Sequence, residues 1–223
     1  MYKVFFFFTL ITCVSCGDMN ETFKEFLKDG ERIYIGKADS LKVHPGNHRL
    51  QLSWLAISDP FISHAKVFWN NRTDSLTVAI NKTEHIDTVK VLVTELAEGD
   101  YSFEVVTFDD RENSSVAVQA IGRVYGENYI ASLLDRPIAS YQVGTDSITL
   151  VWGAYRQGVF ATDILFKDKE GEEQIIRVSV ADPATKIGLF ESETELKYRT
   201  LYLPDTLAID TFFTNFTTFP LDR

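Results

Sequence analysis

Two short polar segments have the residue types that carbohydrate-binding surfaces use. Tyr155 and Arg156 follow one apolar run, and Asn71, Arg72 and Asp74 follow another. Aromatic rings pack on the CH faces of sugars, while guanidinium, amide and carboxylate groups pair with sugar hydroxyls. We therefore predict both segments as candidate ligand-binding sites, with a polysaccharide as the candidate ligand. The alternative is that both are ordinary solvated loops between strands.

The sequence lacks the common motifs of enzymatic chemistry. It has no Gly-x-Ser-x-Gly elbow, no His-Glu-x-x-His pair and no phosphate-binding glycine loop. The chain has four histidines, and their spacing is not that of metal ligands. They are His44, His48, His64 and His85. Asp109–Asn113 could bind calcium through oxygen atoms, although a solvated turn is the simpler interpretation. We predict a non-catalytic protein with no metal and no cofactor. A pair of carboxylates for glycoside hydrolysis stays an open alternative, because such residues are usually far apart in the chain and a single sequence does not show whether they meet.

The N-terminal residues resemble a bacterial lipoprotein signal. Lys3 precedes the apolar run Val4–Val14, which is too short to span a bilayer. Residues 13–17 read Cys-Val-Ser-Cys-Gly and resemble a lipobox, with cysteine where leucine is usual. We predict cleavage after Ser15 and acylation of Cys16, whose lipid chains would hold the protein to a membrane. The alternative is an ordinary secretory signal peptide.

The cysteine content and the charge narrow the classes of fold and partner. The two cysteines of the chain are Cys13 and Cys16, so the globular part has no disulfide. The chain has 32 Asp and Glu against 22 Lys and Arg, a formal net charge of -10. Nucleic-acid backbones require a basic surface instead. We therefore exclude nucleic acid as a partner.

Alternating apolar and polar residues predict β-strands along most of the mature chain. In the first half the predicted strands are 49–55, 65–69, 75–80, 89–96, 101–108 and 115–124. In the second half they are 147–153, 160–167, 174–180, 185–190, 196–203 and 209–216. Turn-forming residues separate these strands at short intervals, which is typical of a β-sandwich. The sequence therefore predicts an all-β fold with two tandem sandwiches.

Aromatic residues recur at matching places in the two halves. Trp54 and Trp152 end similar early strands, about 100 residues apart. Tyr101 opens a later strand after a Glu-Gly-Asp turn, where its hydroxyl can bond backbone groups across the corner. Tyr198 is the candidate counterpart in the second half. We predict that both tryptophans, Tyr101 and Phe103 belong to the cores.

These features divide the chain into four predicted segments. They are a signal peptide (1–15), an anchor with a short helix (16–36), a first sandwich (37–126) and a second sandwich (127–223). Asn20 is the predicted cap of the short helix. The linker Tyr125–Arg136 contains Leu133 and Leu134, so we predict a packed junction that removal of either leucine would loosen.

The tryptophan strand and the Leu96-to-Tyr101 corner resemble those of a fibronectin type III domain. The lipobox, together with residues 26–41, 69–75 and 198–204, is similar to an uncharacterised family of surface lipoproteins from gut-type Gram-negative bacteria. This resemblance implies two tandem fibronectin type III-like (immunoglobulin-like) sandwiches that are lipid-anchored in the cell envelope, on the surface of the outer membrane. Members of such families are often encoded beside glycan uptake systems. The resemblance thus implies a polysaccharide or an outer-membrane glycan-uptake complex as the partner.

The preferred hypothesis is a non-catalytic surface lipoprotein that acts as an accessory carbohydrate-binding protein in polysaccharide capture. The alternative is a structural spacer or adhesion subunit that contacts a partner protein. A secreted eukaryotic ectodomain is a further alternative, because five Asn-x-Ser/Thr triplets begin at Asn20, Asn71, Asn81, Asn113 and Asn215. An acylated cysteine at the end of the signal peptide argues against that class.

Overall fold

The computed structural model describes residues 34–57, 59–81, 83, 85–188 and 195–221. The described residues from Ile35 onward belong to one compact unit. Cys16 and the predicted helix after Asn20 lie outside the described residues. No helix among the described residues is long and apolar enough to cross a membrane.

Sandwich 1 consists of two antiparallel sheets. Its strands are β1 (Asp39–Pro45), β2 (Leu50–Ala56), β3 (Ile62–Trp69), β4 (Asp74–Ala79), β5 (Asp87–Val93), β6 (Gly99–Asp109) and β7 (Val118–Val124). The sheet β1-β2-β5 faces the sheet β4-β3-β6-β7 across a core that contains Trp54, Val67 and Phe103. Alternation along each strand sends every second side chain into this core.

Sandwich 2 repeats the arrangement after a short helix, α1 (Glu127–Ser132). Its strands are β8 (Ile138–Val143), β9 (Ser147–Trp152), β10 (Val159–Lys167), β11 (Glu173–Ser179), β12 (Ala184–Gly188), β13 (Glu195–Tyr202), β14 (Phe212–Phe213) and β15 (Thr217–Pro220). One sheet is β8-β9-β12; the other is β11-β10-β13, and β14 and β15 both pair with β13. The core contains Trp152, Ile164 and Tyr198.

The all-β class and the two tandem type III-like sandwiches are confirmed. Trp54, Trp152 and Phe103 are buried, and the half-buried Tyr101 donates its hydroxyl to the carbonyl oxygen of Ala97, at 3.0 Å. This bond is the predicted tyrosine corner.

The prediction missed or misplaced several elements. It assigned no strand to residues 39–45, which form β1 with a positive φ at Ser40 and a register shift against β2. It omitted β8, and it placed one strand at 209–216, where the structure has the two-residue β14; β15 begins after this range, at Thr217. It also missed α1, because six residues are too few for a clear helical period.

Candidate functional site

The predicted residues Tyr155 and Arg156 lie on the exposed loop between β9 and β10. The Tyr155 ring lies over Arg136, with the guanidinium carbon 5.8 Å from the ring centre, and the same guanidinium lies 5.0 Å from the Trp152 ring. Arg136 is only 3% exposed and donates to three backbone carbonyl groups within residues 179–182. Burial lowers the pKa of Arg136. Tyr155 therefore covers an internal cation of sandwich 2, and more than half of its side chain remains exposed.

The predicted residues Asn71, Arg72 and Asp74 lie on the hairpin between β3 and β4. Asn70, Asn71 and Arg72 all have positive φ, and the Asn70 amide donates to the Asp74 carboxylate at 2.6 Å. The Asp74 carboxylate thus serves to close the turn. This hairpin and the Tyr155 loop belong to different sandwiches, and each makes these contacts within its own sandwich.

Arg72 joins a row of side chains on the outer face of sandwich 1. Its Nε donates to Glu104 at 2.6 Å, and its guanidinium carbon lies 5.1 Å from the Phe68 ring centre. The Gln119 amide donates to the other oxygen of Glu104 at 3.1 Å. The row has sugar-binding residue types, but Arg72 and Glu104 already bind each other.

The segment Asp109–Asn113, considered above as a calcium site, is a turn. The Asp109 carboxylate accepts the backbone N–H groups of Arg111 and Asn113 and the amide of Asn113. The hydrogen bond from the Asn113 side chain is the main reason that the pKa of Asp109 is lowered. No group of three or more metal-ligating side chains occurs within the described ranges.

Polar contacts hold the two sandwiches together. Asp210, in the loop before β14, accepts the Nε and Nη2 groups of Arg49 at 3.0 and 2.6 Å and the backbone N–H of Asn47 at 2.9 Å. The backbone N–H of Ile209 donates to the Pro45 carbonyl at 2.8 Å. The hydrogen bond from Arg49 lowers the pKa of Asp210, and burial opposes this effect. A forked guanidinium–carboxylate pair restricts orientation as well as distance, so this junction has a defined geometry.

An aromatic cluster completes the junction. Phe212, which is 2% exposed, lies 5.6 Å from Tyr125 and 5.1 Å from Tyr129, measured between ring centres. Leu133 also packs on this cluster. Leu134 is half exposed, so the prediction that it packs in the junction is wrong for this residue. Its backbone carbonyl accepts the Tyr202 hydroxyl, at 2.6 Å.

A groove of about 350 Å³ opens beside this cluster. Its lining residues are Glu98, Arg123, Tyr125, Asn128, Tyr129 and Ser132. Ligand sites of this size often lie between domains and combine aromatic walls with a few polar groups. The groove brings residues from the end of sandwich 1 next to one side of α1.

The groove walls are held in place by their own contacts. Glu98 accepts the backbone N–H groups of Asn128 and Tyr129, both at 2.8 Å, and thereby holds the start of α1. The Arg123 guanidinium lies 6.0 Å from the Tyr125 ring. Burial raises the pKa of Tyr129 to about 12, so its hydroxyl stays protonated at neutral pH and can both donate and accept. None of the residues that line the groove was predicted as a site residue from the sequence. The two tyrosines of the linker, close in the chain to an arginine and an asparagine, are the pattern that could have indicated a binding site here.

His48 links the same region through both ring nitrogens. Its Nδ1 lies 3.0 Å from the Leu96 carbonyl oxygen, and its Nε2 lies 2.7 Å from the Glu127 carboxylate. Both partners are acceptors, so both nitrogens donate when the ring is protonated. The bond to Leu96 and then the bond to Glu127 raise the pKa of His48, and the nearby Glu98 charge adds to this effect.

We therefore expect His48 to titrate above the ordinary histidine pKa of about 6.5. Its contribution to stability is fully present below the unfolded-state pKa and is lost as pH rises through the raised folded-state pKa. NMR titration of the imidazole measures this value, and Glu127→Gln should lower it. An unchanged titration in that variant would show that the carboxylate does not act on His48. The control is the free energy of unfolding of His48→Gln, measured over the same pH range. Glutamine does not titrate, so this variant should lack the pH dependence that comes from His48.

The family assignment rests on residues 16–212, which match DUF4998, a domain of unknown function. The chain belongs to the DUF4998 family. The match covers the lining residues of the groove and both predicted polar segments. No curated protein matches the chain.

Solved structures similar to this DUF4998 protein contain fibronectin type III domains. A two-domain segment of chicken tenascin is 13% identical, with 84% of this chain and 100% of that chain covered and a TM-score of 0.35. The FN1-FN3 domains of chicken CNTN1 are 12% identical, with 87% and 70% covered and a TM-score of 0.39. The central fibronectin-III array of RIM-binding protein is 13% identical, with 84% and 61% covered and a TM-score of 0.32.

Proposed function

We propose that this protein is a non-catalytic, lipid-anchored module of the bacterial outer membrane that captures polysaccharide in the groove between its first sandwich and α1. The observation that carries the proposal is the lining of the groove. Two tyrosine rings stand beside guanidinium, amide, hydroxyl and carboxylate groups in one concavity. Sugars need these two kinds of contact together, because they present CH faces and hydroxyls at once.

The fixed junction supports a carbohydrate site at this place. Tyr129 and Arg123 come from different sides of the groove, so their separation depends on how α1 sits on sandwich 1. Glu98 and His48 both bind the start of α1, and the Phe212 cluster packs beneath it. A groove held in this way loses little conformational entropy when a ligand binds.

The anchor is proposed from the sequence. Cys16 follows an apolar signal-like run, and the family match begins at that residue. Two or three acyl chains on this cysteine would make membrane attachment effectively permanent. Surface exposure on the outer membrane would then bring the groove into contact with extracellular glycans.

A structural spacer or adhesion subunit is the second candidate. The Arg49–Asp210 pair favours it, because a type III-like tandem that is locked at its junction can hold a partner at a set distance from the membrane. In this case the protein contacts would lie outside the groove. The two candidates therefore predict different effects of groove substitutions.

Glycan binding by the mature chain, with Cys16→Ser to prevent acylation, tests the proposal. We expect binding to at least one polysaccharide on an array of plant, host and microbial glycans. Arg123→Gln and Asn128→Ala should each weaken this binding about tenfold, since each removes a direct hydrogen bond to the ligand. Arg111→Ala, an exposed arginine on a distant turn, is the matched control and should leave the Kd unchanged.

Two further variants separate the groove from the segments predicted from sequence. Arg72→Ala and Tyr155→Ala remove exposed side chains outside the groove, so glycan binding should survive both changes. If either of them abolishes binding and the groove variants do not, the site lies on that loop and the groove assignment is wrong. Absence of binding to any glycan would favour the spacer or adhesion subunit.

A further inference from the structure

Three charged side chains form a row across the outer face of sandwich 2. Asp163 on β10 pairs in register with Arg177 on β11 and with Arg199 on β13. Ile164 and Phe166 point into the core, so Asp163 and Leu165 point outward. Asp163 is nevertheless only 2% exposed, because Arg177 Nε and Arg199 Nη2 lie over its two oxygens at 2.7 and 2.9 Å.

Two phenylalanines hold Arg199 from the other side. Its guanidinium carbon lies 4.4 Å from the Phe213 ring centre and 4.8 Å from that of Phe216. Phe213 ends β14 and Phe216 precedes β15, so the gap between these two short strands places both rings beside β13. The side chains are 46% and 38% exposed. Each ring thus contacts the arginine and still presents apolar surface to solvent.

The next row adds a third cation and more apolar surface. Leu165 pairs with Ile175 on one side and with Lys197 on the other, and Lys197 pairs with Thr218 on β15. Ile175 is 55% exposed, and Lys197 is exposed. The two rows hold three cations, Arg177, Arg199 and Lys197, and a single carboxylate. These two rows are therefore locally positive on a chain whose formal net charge is -10, although Glu173 and Glu195 lie one row further along the same face, beside Lys167.

We propose that this face, defined by the rows of Asp163 and Leu165 with Phe213 and Phe216, binds an anionic, carboxylate-bearing polysaccharide. The proposal rests on the polysaccharide capture proposed above, and not on the groove, since it names the charge class of the glycan that the module captures. Arg177 keeps 59% of its side chain exposed while Nε and Nη2 bind Asp163, so its remaining N–H groups point to solvent. Lys197 adds an exposed cation one row away.

The chemistry of the face matches an acidic sugar chain better than a neutral one. Guanidinium and ammonium groups bind carboxylates through charge-assisted hydrogen bonds. The exposed surfaces of Phe213, Phe216 and Ile175 provide apolar contacts for the CH faces of the sugar rings. Asp163 positions the two arginines and is shielded by them, so it repels a bound carboxylate less than an exposed aspartate would. The face spans several strands of one sheet, so it also suits a polymer that crosses them.

Binding of the mature Cys16→Ser chain to polygalacturonate and to its fully methyl-esterified form tests this inference. The two polymers share a backbone, and only the first is charged. We expect at least about tenfold tighter binding to the charged polymer, weakening as salt is raised. Lys197→Gln should weaken that binding severalfold without disturbing the Asp163 row, and Phe216→Ala should do so through lost apolar contact. Lys90→Gln, an exposed strand lysine of sandwich 1, is the matched control and should have no effect.

The outcomes separate this face from the groove. Equal binding of the charged and esterified polymers, or no effect of both Lys197→Gln and Phe216→Ala, would overturn the inference. Polyglutamate that binds as tightly as polygalacturonate would show that the face selects acidic protein, and would also overturn it. If the groove variants Arg123→Gln and Asn128→Ala change no glycan affinity but Lys197→Gln does, the groove proposal fails and this one stands.

Discussion

Replacing Phe212 with alanine is expected to lower the free energy of unfolding by about 3–5 kcal/mol. The ring is 2% exposed and contacts both Tyr125 and Tyr129, so its removal leaves a cavity between β14 and α1. The aromatic neighbours are fixed by the linker and cannot fully close that cavity. Urea unfolding followed by tryptophan fluorescence and far-UV circular dichroism measures the loss.

The control for this prediction is Phe61→Ala. Phe61 is 74% exposed on the loop before β3, so truncation should cost less than about 0.5 kcal/mol. Small-angle scattering of the Phe212 variant should also show a broader distribution of shapes, because the cluster joins the two sandwiches. A Phe212→Ala protein as stable and as narrowly distributed in shape as the parent would mean that the cluster does not hold the junction.

The substitution Asp163→Asn is expected to cost about 3 kcal/mol of unfolding free energy. It keeps the size of the side chain but leaves Arg177 and Arg199 facing each other without the carboxylate between them. The value lies at the lower end for a broken buried ion pair, because water reaches Arg177 and screens part of the repulsion. Asp110→Asn, on an exposed turn, is the control and should be close to neutral.

Acid dependence offers a second measurement on the same residue. Burial opposes ionisation of Asp163, but the hydrogen bonds and charges of Arg177 and Arg199 outweigh it and hold the pKa of Asp163 below its ordinary value. The stability from this ionisation is therefore present above the unfolded-state pKa, about 3.9, and is lost as pH falls through the lower folded-state pKa. Asp163→Asn should remove this component of acid denaturation. Parallel pH–stability curves for the variant and the parent would contradict the assignment.

The two proposed binding surfaces would suit different features of a polysaccharide. The groove is concave and lined by tyrosines, so it would suit a local feature such as a chain end or branch. The rows of Asp163 and Leu165 are open and locally cationic, so they would suit a length of charged polymer. The Phe212 cluster packs against the two tyrosines of the groove, which links the stability of the junction to the proposed binding function.

Several features of the structure follow directly from local sequence patterns. Period-two alternation placed Trp54 and Trp152 on inward positions, and the Glu-Gly-Asp turn before Tyr101 predicted the corner bond to Ala97. Both depend only on residues close in the chain. By contrast, β1 was not predicted, because its strand depends on pairing with β2, and the local sequence does not contain these backbone partners.

The candidate sites depended on contacts that local patterns do not encode. Asp163 lay in a predicted strand, but its partners stand 14 and 36 residues further on, and only the register of β11 and β13 brings them to its carboxylate. Arg72 lay on a predicted polar hairpin, but its bond to Glu104 depends on the pairing of β3 with β6.

The all-β class, the tandem repeat and the aromatic cores could be predicted from the amino-acid sequence, because alternation, turn chemistry and composition act over a few residues. The folded arrangement was needed to show that the linker forms α1, that Tyr125 and Tyr129 line a groove, and that Asp163 is buried on an outer face. Those outcomes require strands distant in the chain to pair in one register and two sandwiches to pack at one junction. The free energy that selects such an arrangement comes from contacts between residues far apart in sequence.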